Sequence, residues 1–326
     1  MSDTSPPRAL WIEAAGVAAL RNAPEPDPGP REVVVETLFS GISRGTERLV
    51  LAGRVPVSEQ DRMRCPLQEG AFPFPVKYGY AAVGRIIAGP AARLGQHVFA
   101  LAPHQSRFAC PAAMARPLPD ALPPGRAVLA ANMETALNIV WDSGVAPGDR
   151  VAVVGAGVVG ALVARLCVRM PGTEVMRVDI SPARAALADR LGCGFAAPEE
   201  TARGWADVVV HAAGSGSGLA EALALAGPEA VVVEASWHGA GATPVPLGGA
   251  FHSQRLRLIS SQVGRLPPAR IPRWNHARRM DAALGLLAED AICDALISGE
   301  TAFSDLPQHY AAILAAPGTL CHRITY

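Results

Sequence analysis

The chain contains a single lysine. Lys77, in the stretch VKYGYAAVG, is the exception in a set of 29 basic residues that is otherwise arginine. A GC-rich coding bias accounts for arginine in general, so it is the surviving lysine that needs a reason. Aromatic residues are also sparse, at 5%, with four tyrosines. The six cysteines form no CxxC pair, and none sits at zinc-site spacing from a histidine. That excludes a zinc ribbon or a paired redox motif and leaves buried free thiols in a reducing compartment as the expectation. Charge of one sign is missing as well. Basic and acidic residues number 29 each, so no field attracts nucleic acid or an anionic membrane. No apolar run reaches the ~18 residues of a membrane span. The first residues, MSDTSPPRALWIE, lack the basic and apolar regions of a signal peptide. Repeats and low-complexity tracts are absent. These omissions predict a soluble, cytoplasmic protein with no nucleic-acid or membrane partner.

Half of the 326 residues are hydrophobic and 18% are charged, a globular composition. The length favours two domains. Proline-rich connections stand at PLPDALPPG (117–125) and GRLPPARIPRW (264–274). Between them strand and helix alternate. VAVV (151–154), EVMRVD (174–179), DVVVHAAG (207–214), AVVVEAS (230–236) and LRLISS (256–261) read as strands. Helical patterns cover 157–170 and 181–192, the second opening on an N-cap serine with proline next and closing on glycine. Such alternation predicts a parallel sheet with crossover helices. Before residue 117, REVVVETLFSGIS, AAVGRIIAG and GQHVFAL are short β-like runs, and a small, mostly β domain is expected. The tail, a helix HARRMDAALGLLAED and a β-like TLCHRITY, is expected to complete that first domain. The division is therefore 1–125 with 265–326, and 126–264.

GAGVVG supplies Gly155, Gly157 and Gly160 after a buried strand and at the start of a helix. Asp179 follows at the end of the next strand. In that context the pattern is a dinucleotide fingerprint. Gly155 makes the tight turn, Gly157 admits the pyrophosphate to backbone N–H groups, and Gly160 allows close helix–strand packing. Asp179 would accept bonds from the ribose hydroxyls and repel a 2′-phosphate, which favours NAD over NADP; Arg177 and Arg184 weaken that preference. Val158, Val159, Ile180 and Thr135 join the expected cofactor set, with Ala212, Gly214 and Ser236 at the carboxyl ends of later strands. His211 reads as a packed strand residue.

With SGISRGTE near residue 40, VKYGYAAVG near 80 and TALNIVWDSGVAPGDRVAVVGAGVVG at 135–160, the chain resembles the medium-chain dehydrogenases/reductases. SGISRGTE is similar to the branch that includes the bacteriochlorophyllide hydroxyethyl dehydrogenases. The resemblance implies an α/β chain with a GroES-like, mostly β catalytic domain, a doubly wound Rossmann domain with a parallel sheet, and an active site in the interdomain cleft. It also implies a homodimer formed through the Rossmann sheet, whose edge the segment AVVVEASWHGAGATPVPLGGAF could supply. Ser43 stands where zinc-dependent members have a cysteine, and Tyr80 where they have a histidine. Ala131 and Asn132 fall near the third ligand, and of a four-cysteine structural-zinc lobe only Cys110 is left in its region. The expectation is no catalytic zinc.

Without a metal, a proton or hydrogen-bond donor must stabilise charge on a carbonyl oxygen. Two readings of Tyr80 stand: that donor, assisted by Lys77, or an aromatic plug in a vacated site. Lys77 has two as well, an ammonium that lowers the phenol's pKa or a surface residue kept by chance. Glu47 and Arg44 are read as a pair, Thr46 as positioning the nicotinamide ribose or the substrate oxygen, and Glu134 as proton relay or helix cap. His104 and His252 are read as exposed loop histidines that could bind an acidic group of the substrate. The function expected is zinc-independent, NAD-dependent interconversion of an alcohol and a carbonyl on a small or medium-sized molecule. Reduction of a conjugated C=C bond or a quinone is one alternative, and a nucleotide-binding sensor or scaffold without turnover another.

Overall fold

The computed structural model describes residues 6–326. Two compact units are present: residues up to Ala131 together with Met280–Tyr326, and Asn132–Arg279.

The second unit is built on valine-rich runs. Strands that are apolar on both faces need cover on both, which a parallel sheet with crossover helices provides. Six strands lie in the order Gly194–Ala196, Glu174–Val178, Arg150–Val154, Ala206–His211, Ala226–Glu234 and Arg257–Ser260. All neighbours are parallel. Numbered by occurrence, this is the order 3-2-1-4-5-6, whose ligand crevice lies beyond the carboxyl ends of the strands where the order reverses. Val154, Val178, Val209, Leu219, Leu223 and Val232 share one core cluster, each full burial of such a side chain being worth about 1.5–3 kcal/mol. The helix Ala185–Leu191 ends on Gly192 in the left-handed region (φ 81°), as its sequence predicts. Its start differs from expectation. Ser181 makes no capping bond and a short 3₁₀ turn, Pro182–Arg184, comes first. The strand that begins the segment expected to offer a sheet edge is not itself an edge. Ala226–Glu234 is paired on both sides, and the outermost strand is Arg257–Ser260.

The first unit is mostly β. One sheet runs Ile297–Ala302, Cys321–Thr325, Glu32–Ser43, Ala82–Ala88, His97–Ala100 and Arg116–Pro117, with Arg107–Pro111 also paired to Glu32–Ser43. A second contains Val17–Asn22, Arg8–Ala14, Val76–Lys77 and Glu69–Gly70. Val33, Val35, Ala82, Ile86, Val98 and Phe108 form a core cluster between strands. The long strand Glu32–Ser43 passes directly into the helix Arg44–Leu51, which sets Ser40, Ser43, Thr46 and Glu47 close together. Among the described residues no helix is long and apolar enough to cross a membrane. All six cysteines are free, and five are buried.

Candidate active site

The first unit concentrates its polar chemistry at the junction of Glu32–Ser43 with the following helix. Glu47 is wholly buried. Its Oε1 accepts from the Ser43 backbone N–H at 2.7 Å. Its Oε2 accepts from the Tyr310 hydroxyl at 2.7 Å and pairs with His104 Nε2 at 3.0 Å. His104 Nδ1 meets Ser40 Oγ at 2.8 Å, and Ser40 Oγ meets the Tyr326 hydroxyl at 2.9 Å. A buried carboxylate needs such partners to offset lost hydration. Tyr80 stands beside this group, half-buried, its hydroxyl bonded to the Ser43 and Thr46 side chains. Burial first and the Glu47 charge second hold the phenol well above its ordinary pKa, against the lowering effect of those two bonds. Gly79 positions Tyr80. It sits at φ +123°, and a Cβ there would lie 2.9 Å from His104.

Several sequence expectations change here. Lys77 is neither on the surface nor acting on Tyr80. It is 4% exposed, and its ammonium is held by Glu69 and, at 3.0 Å, by Gln105. The groups acting on Tyr80 are Glu47, Ser43, Thr46 and Cys65. His104 is not an exposed loop residue; it is fully buried with both ring nitrogens engaged, so it has no nitrogen left for an acidic substrate. Arg44 turns its Nε to the Leu314 carbonyl at 3.0 Å, while Glu47 takes His104 and Tyr310. Glu134 neither caps a helix nor stands open to relay protons. It lies within the helix Ala130–Ser143, buried, 3.0 Å from Arg279 Nε; burial pushes its carboxyl up while Arg279 opposes the shift. His252 is exposed and outside this cluster. Ser40, Tyr310 and Tyr326 were missed from sequence. Cys65 was read only as a thiol; burial pushes it to about 12, with Gly79 and Glu47 among its neighbours.

In the second unit the glycine turn has the geometry its fingerprint demands. Gly155 adopts φ +105°, where a Cβ would lie 2.7 Å from Ala213 N. A Cβ on Gly160 would lie 2.2 Å from the Gly155 carbonyl oxygen. A Cβ on Gly157 would meet nothing within 4 Å. An open cradle therefore lies at Gly157, before the N–H groups of Val158 and Val159 that begin the helix Val158–Val168, an arrangement suited to a phosphate. Asp179 is anchored above it, accepting from Ala156 N at 2.6 Å and Ser181 N at 2.8 Å. Ile180, next to it, is 88% exposed. Ala212 N donates to Val154 O at 2.8 Å and Gly214 N to Ser236 Oγ at 3.0 Å, which gathers those residues at the strand ends. Thr135 lies apart in the chain, on the helix Ala130–Ser143. These residues fit a dinucleotide. Arg177, on the strand Glu174–Val178 that leads to Asp179, is fully buried and none of its guanidinium nitrogens has a hydrogen-bond partner.

A D-guloside 3-dehydrogenase of Escherichia coli K12 is 27% identical over 190 residues, 54% of this chain and 53% of its own. A 2-desacetyl-2-hydroxyethyl bacteriochlorophyllide A dehydrogenase of Rhodobacter capsulatus is 29% identical over 199 residues, 55% of each chain. The chain thus spans about half the length of the curated relatives it matches. A Sinorhizobium meliloti protein of the zinc-binding dehydrogenase type, bound to NADP, superposes with TM-score 0.79 at 21% identity, over 99% of this chain and 100% of its own. An alcohol dehydrogenase of Escherichia coli CFT073 complexed with NADH does so with TM-score 0.78 at 18% identity, over 99% and 100%. The chain has the fold of the zinc-binding-type medium-chain dehydrogenases. The resemblance to the bacteriochlorophyllide branch is matched by a relative of that name. No family model matches the chain.

Zinc at the positions that the resemblance gives to ligands is a separate question of donor chemistry. Ser43, Tyr80 and Ala131 offer two hydroxyls and a methyl where zinc takes thiolate, imidazole or carboxylate. That donor set does not fit the ion.

Proposed function

We propose that this chain is a nicotinamide-dependent oxidoreductase that interconverts an alcohol and a carbonyl on a small or medium-sized organic molecule, with no zinc at the Ser43 and Tyr80 positions. The observation that carries the reading is the Tyr80 hydroxyl, bonded to Ser43 and Thr46 and raised in pKa, where the resemblance places a metal ligand. A phenol held above its ordinary pKa keeps its proton at neutral pH. In this reading it is a hydrogen-bond donor to a carbonyl oxygen rather than a phenolate base, the raised pKa making it a weaker acid than a free phenol. Ser43 and Thr46 fix its direction. Glu47 is a positioning residue that ties the start of their helix to His104 and Tyr310. In the second unit, Gly157 with Val158 and Val159 would hold the pyrophosphate, Asp179 the ribose hydroxyls, and Ala212, Gly214 and Ser236 the remaining half of the cofactor. When bound, the nicotinamide supplies or accepts the hydride. A carboxylate at 179 favours NAD. Support for the reaction class comes from the two dehydrogenase relatives. A donor set without metal ligands also suits reduction of a conjugated C=C bond or a quinone, and product analysis separates the two.

The test is turnover with NADH and NADPH against sugar glycosides and hydroxyethyl-bearing rings, the chemistry in those relatives' names, beside simple enones and quinones. Tyr80→Phe should lower kcat at least tenfold with little change in cofactor affinity. Turnover unaltered by Tyr80→Phe, or no hydride transfer to any acceptor despite bound NADH, would overturn the reading.

A further inference from the structure

The strands Ala206–His211 and Ala226–Glu234 end in register, His211 beside Glu234. His211 Nδ1 lies 2.6 Å from Glu234 Oε2. His238, four residues beyond Glu234, brings Nε2 to 3.2 Å from the same oxygen. The two imidazole rings stack at 5.9 Å between centroids. One ligand atom from each of the three residues lies within 4.8 Å of the others, and among the described residues no other trio of His, Cys, Asp or Glu does so.

Hydrogen bonding alone leaves this group poorly served. His211 is fully buried, and its Nε2 has no partner; His238 Nε2, though close to Glu234, is not aligned for a hydrogen bond. Two imidazoles thus converge on one carboxylate oxygen. The other carboxylate oxygen is fixed by the Ser236 backbone N–H at 2.7 Å, which holds Oε2 toward the histidines in the manner of an outer-shell partner. His211 Nε2 faces Gly218, 2.7 Å from where a Cβ would stand, while Nδ1 faces Glu234.

The geometry points to a divalent-metal site made by His211 Nδ1, Glu234 Oε2 and His238 Nε2, taking an ion of the zinc class. Two imidazoles and a carboxylate form a three-ligand set that leaves a fourth, open position. Bonds of about 2.0–2.2 Å put neighbouring tetrahedral ligand atoms roughly 3.3 Å apart. The His238–Glu234 separation already has that size, and the His211–Glu234 contact has to open by less than about 1 Å as the ion replaces its hydrogen bond. The ligands differ from Ser43, Tyr80 and Ala131 and lie in the second unit, at the strand ends beside Ala212 and Ser236 of the proposed cofactor set; uptake of the ion is therefore read directly, without turnover.

Metal-stripped full-length protein is titrated with Zn²⁺ by calorimetry and with Co²⁺ by visible absorption, for the wild type, His238→Ala and Glu234→Gln. The expected result is one ion per chain, a Co²⁺ ligand-field spectrum of low-symmetry type, and at least tenfold weaker binding in both variants. His238 lies in a half-buried loop, so His238→Ala retains the fold and carries the test if Glu234→Gln unfolds. No stoichiometric uptake, or uptake unchanged in His238→Ala, overturns the site.

Discussion

Glu47 and His104 meet at 3.0 Å with both side chains entirely shielded from solvent. The pair is 57 residues apart in sequence and closes a group that also includes Tyr310 and the Ser43 N–H. Removing the carboxylate leaves three buried polar groups without their acceptor. Glu47→Ala should destabilise the first unit by several kcal/mol, about 1–3 kcal/mol for each buried polar group left unsatisfied. Glu47→Gln, which keeps an oxygen acceptor, should cost clearly less. Denaturant unfolding of both variants checks this; equal losses would mean that the contacts add little.

All four tyrosines of the chain, Tyr78, Tyr80, Tyr310 and Tyr326, have pKa values raised above 10, in each case chiefly by burial. The folded state therefore binds protons that the unfolded chain releases near pH 10. Their contribution to stability is complete below about pH 10 and declines as pH climbs through the folded values. An alkaline titration followed at once by tyrosinate absorbance and circular dichroism should show no phenol ionising near pH 10 in native protein. Ionisation and loss of structure should come together at higher pH. A separate native titration near pH 10 would show that at least one phenol is open to water.

The parallel sheet was legible because its signal is local. Valine runs bounded by glycine, and GAGVVG followed by Asp179, state their structure within a few residues. The buried cluster was not legible, because its members are brought together only by pairing across the chain. His104 sits between proline and glutamine and reads as loop. Its burial comes from contacts such as its N–H to the Tyr78 carbonyl and the bridge between Ala9 and Gln105. Lys77 was misjudged for the same reason. Its partner Glu69 faces it across two short strands, and nothing in VKYGY announces that. The helix Gly216–Leu225 escaped notice because its first turn, GSG, carries poor helix formers; the cap that starts it, Ser215 accepting from Gly218 N, is plain only in the structure.

Arg177 is a second buried charge, and unlike Glu47 it has no hydrogen-bond partner for its guanidinium. Burial is the leading cause of its lowered pKa, with Cys193 and Asp179 opposing. Its stem packs within the sheet and its head is the costly part. Arg177→Met keeps the stem's volume and removes the charge, so the variant should be more stable, by about 1–4 kcal/mol. Thermal and urea unfolding measure the sign directly. A less stable variant would mean that the guanidinium makes a compensating interaction in solution.

The glycine turn allows stability and ligand binding to be separated by one methyl group. At Gly160 a Cβ would collide with the Gly155 carbonyl at 2.2 Å, a backbone atom that has little room to yield. Gly160→Ala should therefore lower stability whether or not a cofactor is present. At Gly157 the backbone is extended (φ −71°, ψ −178°) and the space is empty, so alanine fits the free protein without strain. If the pyrophosphate occupies that space, the added methyl displaces it from the helix N–H groups. Gly157→Ala should melt within about 1 °C of the wild type, as expected where no named destabilising mechanism operates, yet bind NADH at least tenfold more weakly. NADH fluorescence titration beside a thermal scan reads both quantities on one sample. A Gly157→Ala protein that binds NADH as the wild type does would place the cofactor elsewhere on the sheet, whereas one that loses stability would show the cradle to be a packed turn.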